Sequence, residues 1–175
     1  EAAARNRFGQ LVLDGGWTIE PDWKHSFCFL PGRYPAPAGR RYQGRWDFRK
    51  HYYPVIADLK PSGEEFDCAR AIDRHSNVRH WVRNPDNEFG FWLPTSRGRF
   101  FPDFVLELLD GRLAVVEYKG AHLRTDPYEI EKRKVGELWA VRSAGRCVFR
   151  FVYIDDGGKS MSRQLDDCLQ GAGLQ

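Results

Sequence analysis

No apolar run in this chain of 175 residues approaches the roughly 20 residues that a membrane-spanning helix requires, so no membrane contact is expected. The opening stretch from Glu1 to Gln10 is polar and carries no signal-peptide pattern. The single methionine is Met161, and a chain starting at Glu1 without an initiator reads as a segment of something longer. Cysteine is scarce and scattered: Cys28, Cys68, Cys147 and Cys168 form no CxxC pair. That excludes a zinc ribbon and argues against a secreted disulfide framework, leaving free thiols in a reducing cytoplasm as the expectation. His25 and Cys28 have a ligand-like spacing, but no second pair accompanies them, so no structural metal is assigned there. Gly158-Lys159-Ser160 ends like a phosphate-binding loop, yet the position that needs its first glycine is Tyr153. No ATP site is expected within the chain.

What is present points to a folded domain. Hydrophobic residues make up 42% and aromatics 14%, with six Trp, which is enough for a core and too much for a disordered chain. The net charge of +3 is unevenly spread: residues 1–60 hold ten basic and six acidic side chains, residues 61–175 seventeen and eighteen. The excess gathers in Arg33, Arg40, Arg41, Arg45, Arg49 and Lys50, opposed there by Asp47 alone. Tyr34, Tyr42, Trp46 and Phe48 are interleaved, with prolines and glycines that prevent a regular helix. Such a segment can neutralise phosphates and stack on bases, which makes Arg40, Arg41 and Arg45 candidate nucleic-acid contacts. An irregular arm that buries its rings and leaves its arginines in water explains it equally. We expect residues 1–60 to form an arm packing on a core domain of residues 61–175.

Within that core, Ser62-Gly63-Glu64-Glu65 reads as a capping box with serine at the N-cap, opening a helix that ends near Asp73 to Asn77. Strands are expected over Val78–Val82, Phe89–Leu93, Phe101–Leu109 and Arg112–Lys119, with a turn at Pro94–Gly98. Asp126-Pro127-Tyr128-Glu129 caps a second helix reaching about Arg142, with Ile130, Val135, Leu138, Trp139 and Val141 facing the core. Cys147–Ile154 reads as a buried strand and Ser160–Leu169 as a last helix. The order helix, strands, helix, strand, helix implies an α/β domain around a mixed central sheet.

The chemistry-bearing stretch is Pro102-Asp103 followed by Glu117-Tyr118-Lys119. Glu117 and Lys119 are two apart on a strand and so share a face. Asp103 joins them only in one register. A two-residue Asp110-Gly111 loop would set it opposite Tyr118, on the wrong side. A three-residue Leu109-Asp110-Gly111 loop pairs Leu108 with Arg112 and sets Asp103 opposite Glu117. Gly111 stands where that loop needs a left-handed residue, so the three-residue form is expected. Two adjacent carboxylates repel unless a positive charge lies between them, and a hard divalent ion such as Mg²⁺ suits two carboxylates plus the Tyr118 carbonyl. Lys119 would then orient an attacking hydroxide.

Pro102-Asp103…Glu117-Tyr118-Lys119 resembles the motif of PD-(D/E)XK nucleases. The wider pattern includes Lys50-His51-Tyr52-Tyr53-Pro54, Glu64-Glu65-Phe66, Trp81-Val82-Arg83-Asn84 and Gly136-Glu137-Leu138-Trp139-Ala140. It resembles the C-terminal endonuclease module of type III restriction enzymes and related DEAD/DEAH-box helicase–nucleases over about residues 45–155. The resemblance implies a restriction-endonuclease-like αβββαβ core and a Mg²⁺-dependent endonuclease acting on double-stranded DNA, with Mn²⁺ as a substitute. It also implies a helicase or ATPase motor in the same parent chain or complex, a role in restriction or phage defence, and a separate target-recognition subunit. By position, Asp103 and Glu117 would hold metal and Lys119 would be the catalytic lysine. A further family acid on the first helix falls on Glu65 rather than Glu64. Lys132 or Lys134 on the second helix could reach the scissile phosphate, although a solvated helix face with Glu131–Lys134 pairing explains them as well. His75, His80 and His122 make no His–metal signature. Two rival readings stay open: a non-catalytic nucleic-acid-binding or scaffold module of a helicase, and an RNA-directed nuclease.

Overall fold

The computed structural model describes residues 29–32, 34, 40–87, 89–120 and 123–170. The His25/Cys28 pair, Arg33 and His122 lie outside the described residues.

Register sets the polar face of this fold. Strand β4 (Phe104–Leu108) pairs antiparallel with β5 (Leu113–Tyr118) through Phe104↔Val116, Val105↔Val115 and Leu106↔Ala114. Beyond the strand ends, Leu108 N donates to Arg112 O at 2.9 Å and Gly111 N to Leu108 O at 3.0 Å. The connection is therefore the three-residue loop, and Gly111 sits at φ 84°, where a side chain is strained. Continuing the same pairing by one step places Asp103 opposite Glu117.

β1 (Val78–Arg83) pairs with the free edge of β4, and β6 (Cys147–Val152) runs parallel to β5. The main sheet is thus mixed, in the order β1-β4-β5-β6. Three helices flank it among the described residues: α1 (Glu64–Arg74), α2 (Pro127–Arg142) and α3 (Met161–Leu169). α2 is the crossover that a parallel β5–β6 pair requires. Its N-cap forms as the sequence implies, the Asp126 side chain accepting from Tyr128 N and Glu129 N with proline at the first turn. α3 starts at a Ser160 cap. Among the described residues no helix is long and apolar enough to cross a membrane.

Period-two alternation along the strands divides the core. Phe104, Leu106, Leu108, Ala114 and Val116 face α1 and α3, meeting Cys68, Ile72, Leu165 and Leu169. Val105 and Val115 face the other way, toward Val135 of α2 and Phe149 and Phe151 of β6. Glu117 has the parity of Val115, so it belongs to the α2 face. Residues 40–60 are folded against the α1 side: Ile56, Ala57 and Leu59 are buried, and His51 bridges to Trp81. Along 41–50 the exposure alternates, with Tyr42, Trp46 and Phe48 turned inward and Arg41, Arg45 and Arg49 outward.

Four local expectations need correction. The Ser62 capping box does not form, because Gly63 at φ 101° is the N-cap and no side chain caps α1. Glu65 is thereby freed for Arg83, 2.6 Å away. The strand expected over Phe89–Leu93 begins only at its last residue: β2 (Leu93–Thr95) pairs with β3 (Gly98–Phe100) around a tight Ser96-Arg97 turn. Asn84 is the cause, since its amide donates to Phe91 O and accepts from Phe91 N, both at 2.8 Å, using the groups that a ladder would need. The strand expected from Phe101 starts at Phe104, because Asn84 also holds Pro102 O at 2.7 Å and Asp103 O at 2.8 Å. Val141 does not join the core-facing stripe of α2. It is 76% exposed, two residues on from Trp139 and so about 200° around the helix.

Candidate active site

Asp103 closes the loop before β4 and Glu117 lies near the end of β5, with their carboxylates held together by the backbone. Asp103 N donates to Glu117 Oε2 at 2.9 Å, and Tyr118 N donates to Asp103 Oδ2 at 2.9 Å. Each acid therefore accepts from the peptide that carries the other side of the pair. Lys119 Nζ sits 2.7 Å from Glu117 Oε1 and 3.0 Å from Glu129 Oε2. Glu129, in the first turn of α2, also binds Lys132 at 2.8 Å. The result is a line of alternating charge running from the sheet onto α2.

On the other side stands Arg83, at the end of β1. Its Nη2 lies 3.3 Å from Asp103 Oδ1 and its Nε 2.6 Å from Glu65 Oε1. Its Nη1 donates to Asp103 O at 2.9 Å and Asn84 O at 3.0 Å. Glu65 thus approaches from α1 and meets Asp103 through a guanidinium. Glu64, its neighbour, instead accepts a hydrogen bond from the Tyr118 hydroxyl.

Burial gives these charges unusual energetics. Glu117 is only 4% exposed. Burial first, and the Asp103 charge second, push its carboxyl up to about 8, with Lys119 opposing. Burial likewise raises the Glu65 carboxyl, opposed by Arg83 and reinforced by Asp103. For Lys119 burial works against the charge but is outweighed by Glu117 and Glu129, so the amine is raised above its ordinary value. Four acids (Glu65, Asp103, Glu117, Glu129) face three cations (Arg83, Lys119, Lys132), one negative charge in excess when all are ionised.

That excess, and the all-oxygen donor set, fit a hard divalent cation in chemical type. Glu65 Oε1 does not add a free donor, because it is buried against Arg83 Nε at 2.6 Å. Among the described residues no three acidic, histidine or cysteine side chains converge closely enough to form a ready-made cage. Asp103 and Glu117 are the pair that could share an ion, with Glu65 screened from them by Arg83.

A cleft of about 350 Å³ opens at Glu117, lined by Arg40, Arg83, Asn84, Arg99, Phe101 and Lys132 among others. A larger hollow of about 580 Å³ lies among the inner rings of the 41–56 segment and touches none of the four acids.

The other sequence-derived candidates are distributed unevenly. Lys132 belongs to the site through Glu129, whereas Lys134 makes no ion pair with any of the four acids. The Glu131–Lys134 pairing does not occur, because Glu131 accepts from Ser96 N and Ser96 Oγ at 2.5 and 2.7 Å. Arg40 reaches the cleft but is paired with Asp58 at 2.5 Å. Arg41 and Arg45 are exposed on the arm and line no part of this cleft. His75 lies 3.3 Å from Asp166 and His80 beside Tyr52, both away from the acids.

Three residues were given no role in the site by the sequence reading: Arg83, Asn84 and Glu129. Arg83 supplies the charge between Glu65 and Asp103, and buried Asn84 fixes the loop that presents Asp103. Arg83 and Asn84 stood in the sequence only within the Trp81–Asn84 stretch of the wider pattern, and Glu129, which pairs with Lys119 and Lys132, only within the cap of α2. A scan of protein-family models, a search of curated proteins and a search of solved structures each found no match to this chain.

Proposed function

We propose that this chain is a metal-dependent phosphodiesterase domain of the PD-(D/E)XK kind, cutting DNA. The observation that carries the reading is Asp103 opposite Glu117 with Lys119 on the same face, where Glu117 opens onto a polar cleft that also carries Arg99 and Lys132. Adjacent acids near the core cost several kcal/mol unless something positive offsets them; Lys119 and Arg83 do so here, and a metal ion would do so in the reading proposed.

In this reading Asp103 and Glu117 would hold a Mg²⁺ or Mn²⁺ ion, which supplies Lewis acidity and a nucleophile at neutral pH. Glu117 and Glu129 hold the Lys119 ammonium beside the acid pair, where it would position a phosphate oxygen or the attacking water. Lys132 adds positive charge where negative charge grows in the transition state. Arg83 anchors Asp103 through both its carboxylate and its carbonyl, keeping the pair in register. The resemblance extends the proposal to a parent helicase–nuclease of restriction or phage defence, with its motor outside this chain and double-stranded DNA as substrate.

One observation favours the scaffold alternative. Both oxygens of Asp103 and both of Glu117 already have protein partners, as in a purely structural network. Nicking of supercoiled DNA by the purified chain with Mn²⁺ decides between the two. The enzyme reading expects cleavage that EDTA stops and that Asp103→Asn or Lys119→Ala lowers by about a thousandfold, with an unchanged unfolding curve. Full cleavage by Asp103→Asn sinks it, and DNA binding without metal uptake or nicking supports the scaffold.

A further inference from the structure

The β2–β3 hairpin stands beside the cleft and carries two exposed arginines, Arg97 at its turn and Arg99 on β3. Neither has a carboxylate partner among the described residues, although nearly every other cation around the site does. Each is instead laid on an aromatic ring: Arg97 over Tyr128 at 4.3 Å and Arg99 over Trp92 at 4.7 Å. The hairpin is also welded to α2. Glu131 takes both Ser96 N and Ser96 Oγ, and Thr95 Oγ1 meets the Tyr128 hydroxyl at 3.0 Å while holding Gly98 O at 2.9 Å. Tyr128, Glu131 and Lys132 are spaced three and four apart, so one face of α2 both fixes the hairpin and reaches the acids through Glu129. Lys132 Nζ lies 4.7 Å from the same Tyr128 ring that supports Arg97.

We infer that this hairpin is a phosphate-tracking rim that seats the DNA strand entering the cleft. Arg97 and Arg99 contact successive phosphates, and Lys132 continues the track toward the Asp103–Glu117 pair. The inference rests on the nucleic-acid reading above and assigns its binding energy to residues outside the 33–50 arm. Carboxylate-free guanidiniums held on rings keep their charge for a ligand and lose little freedom on binding it. A rigid mount beside the acids makes them a fixed ruler for the strand.

The test is binding of a short fluorescein-labelled DNA duplex to the full chain in EDTA, followed between about 50 and 200 mM salt. Arg97→Ala/Arg99→Ala should weaken binding about tenfold at low salt and flatten the plot of log affinity against log salt by about two. An equally discharged control, Arg146→Ala/Arg163→Ala, should leave both quantities near wild type; Arg163 is exposed and pairs only with Asp167 among the described residues. Wild-type affinity and slope in the Arg97/Arg99 variant, with the wild type binding normally, overturn the rim and leave the nuclease reading standing. No binding by the wild type overturns both.

Discussion

Asp73 and Glu117 are both nearly sealed from water, at 6% and 4% exposure, and they are satisfied in opposite ways. Asp73 accepts from Lys50 N at 2.9 Å, Arg49 N at 3.1 Å and the Trp81 indole at 2.8 Å. All three donors are neutral and fixed by backbone or by a packed ring. Glu117 takes one backbone donor and one ammonium, and has a second carboxylate beside it. The first arrangement is a staple, tying the 41–60 segment to α1 and β1. The second is crowded with like charge and held by flexible cations, which an ion or a phosphate can displace. Burial of an acid alone does not mark a functional group; the nature of its partners does.

Substitution at each acid should separate stability from activity. Glu117→Gln should lower metal-dependent DNA cleavage by about a thousandfold while moving stability by only about 1 kcal/mol, since Lys119 keeps Glu129. Asp73→Ala should do the reverse, costing about 3 kcal/mol in a urea titration by orphaning buried donors. If both variants lose stability and neither touches cleavage, the contrast between the two acids fails.

His51 lies at the seam between these regions and sharpens the comparison through pH. Its Nδ1 faces Tyr53 O at 2.8 Å and its Nε2 accepts from Arg83 N at 3.2 Å, a pattern that needs the neutral ring. Burial lowers its pKa to about 4, against partial support for the charge from Tyr53 O and Asp73. A lowered folded pKa means that the unfolded chain binds more protons, so this contribution is complete above about pH 6.5 and is lost as pH falls toward about 4. The loss is worth roughly 3 kcal/mol in full. Unfolding midpoints across that range should drop for the wild type and flatten for His51→Gln; parallel curves would remove His51 from the account.

The smallest effect concerns register. Gly111→Ala should cost about 1 kcal/mol through its left-handed backbone, with the pairing preserved. Cleavage and metal uptake should then stay near wild type, while a large loss of either would mean that the loop had slipped and carried Asp103 to the other face.

Much of this was legible in the sequence because it depends on neighbours along the chain. Gly111 behind Leu109-Asp110 specifies the loop, the loop specifies the register, and the register brings Asp103 against Glu117 across one hairpin. Asp126-Pro127 specifies where α2 starts in the same local way. The tertiary structure alone decided which cations serve those acids. Arg83 reaches Glu65 across the gap between β1 and α1, Glu129 arrives on a crossover helix, and Asn84 reshapes the chain on both sides of Pro94 by claiming Phe91 and Pro102. Val141 is a different case, since helix periodicity alone sets it about 200° from Trp139. Turn chemistry and strand parity act over a few residues, whereas desolvation and charge pairing depend on whatever the completed fold brings within a few ångströms.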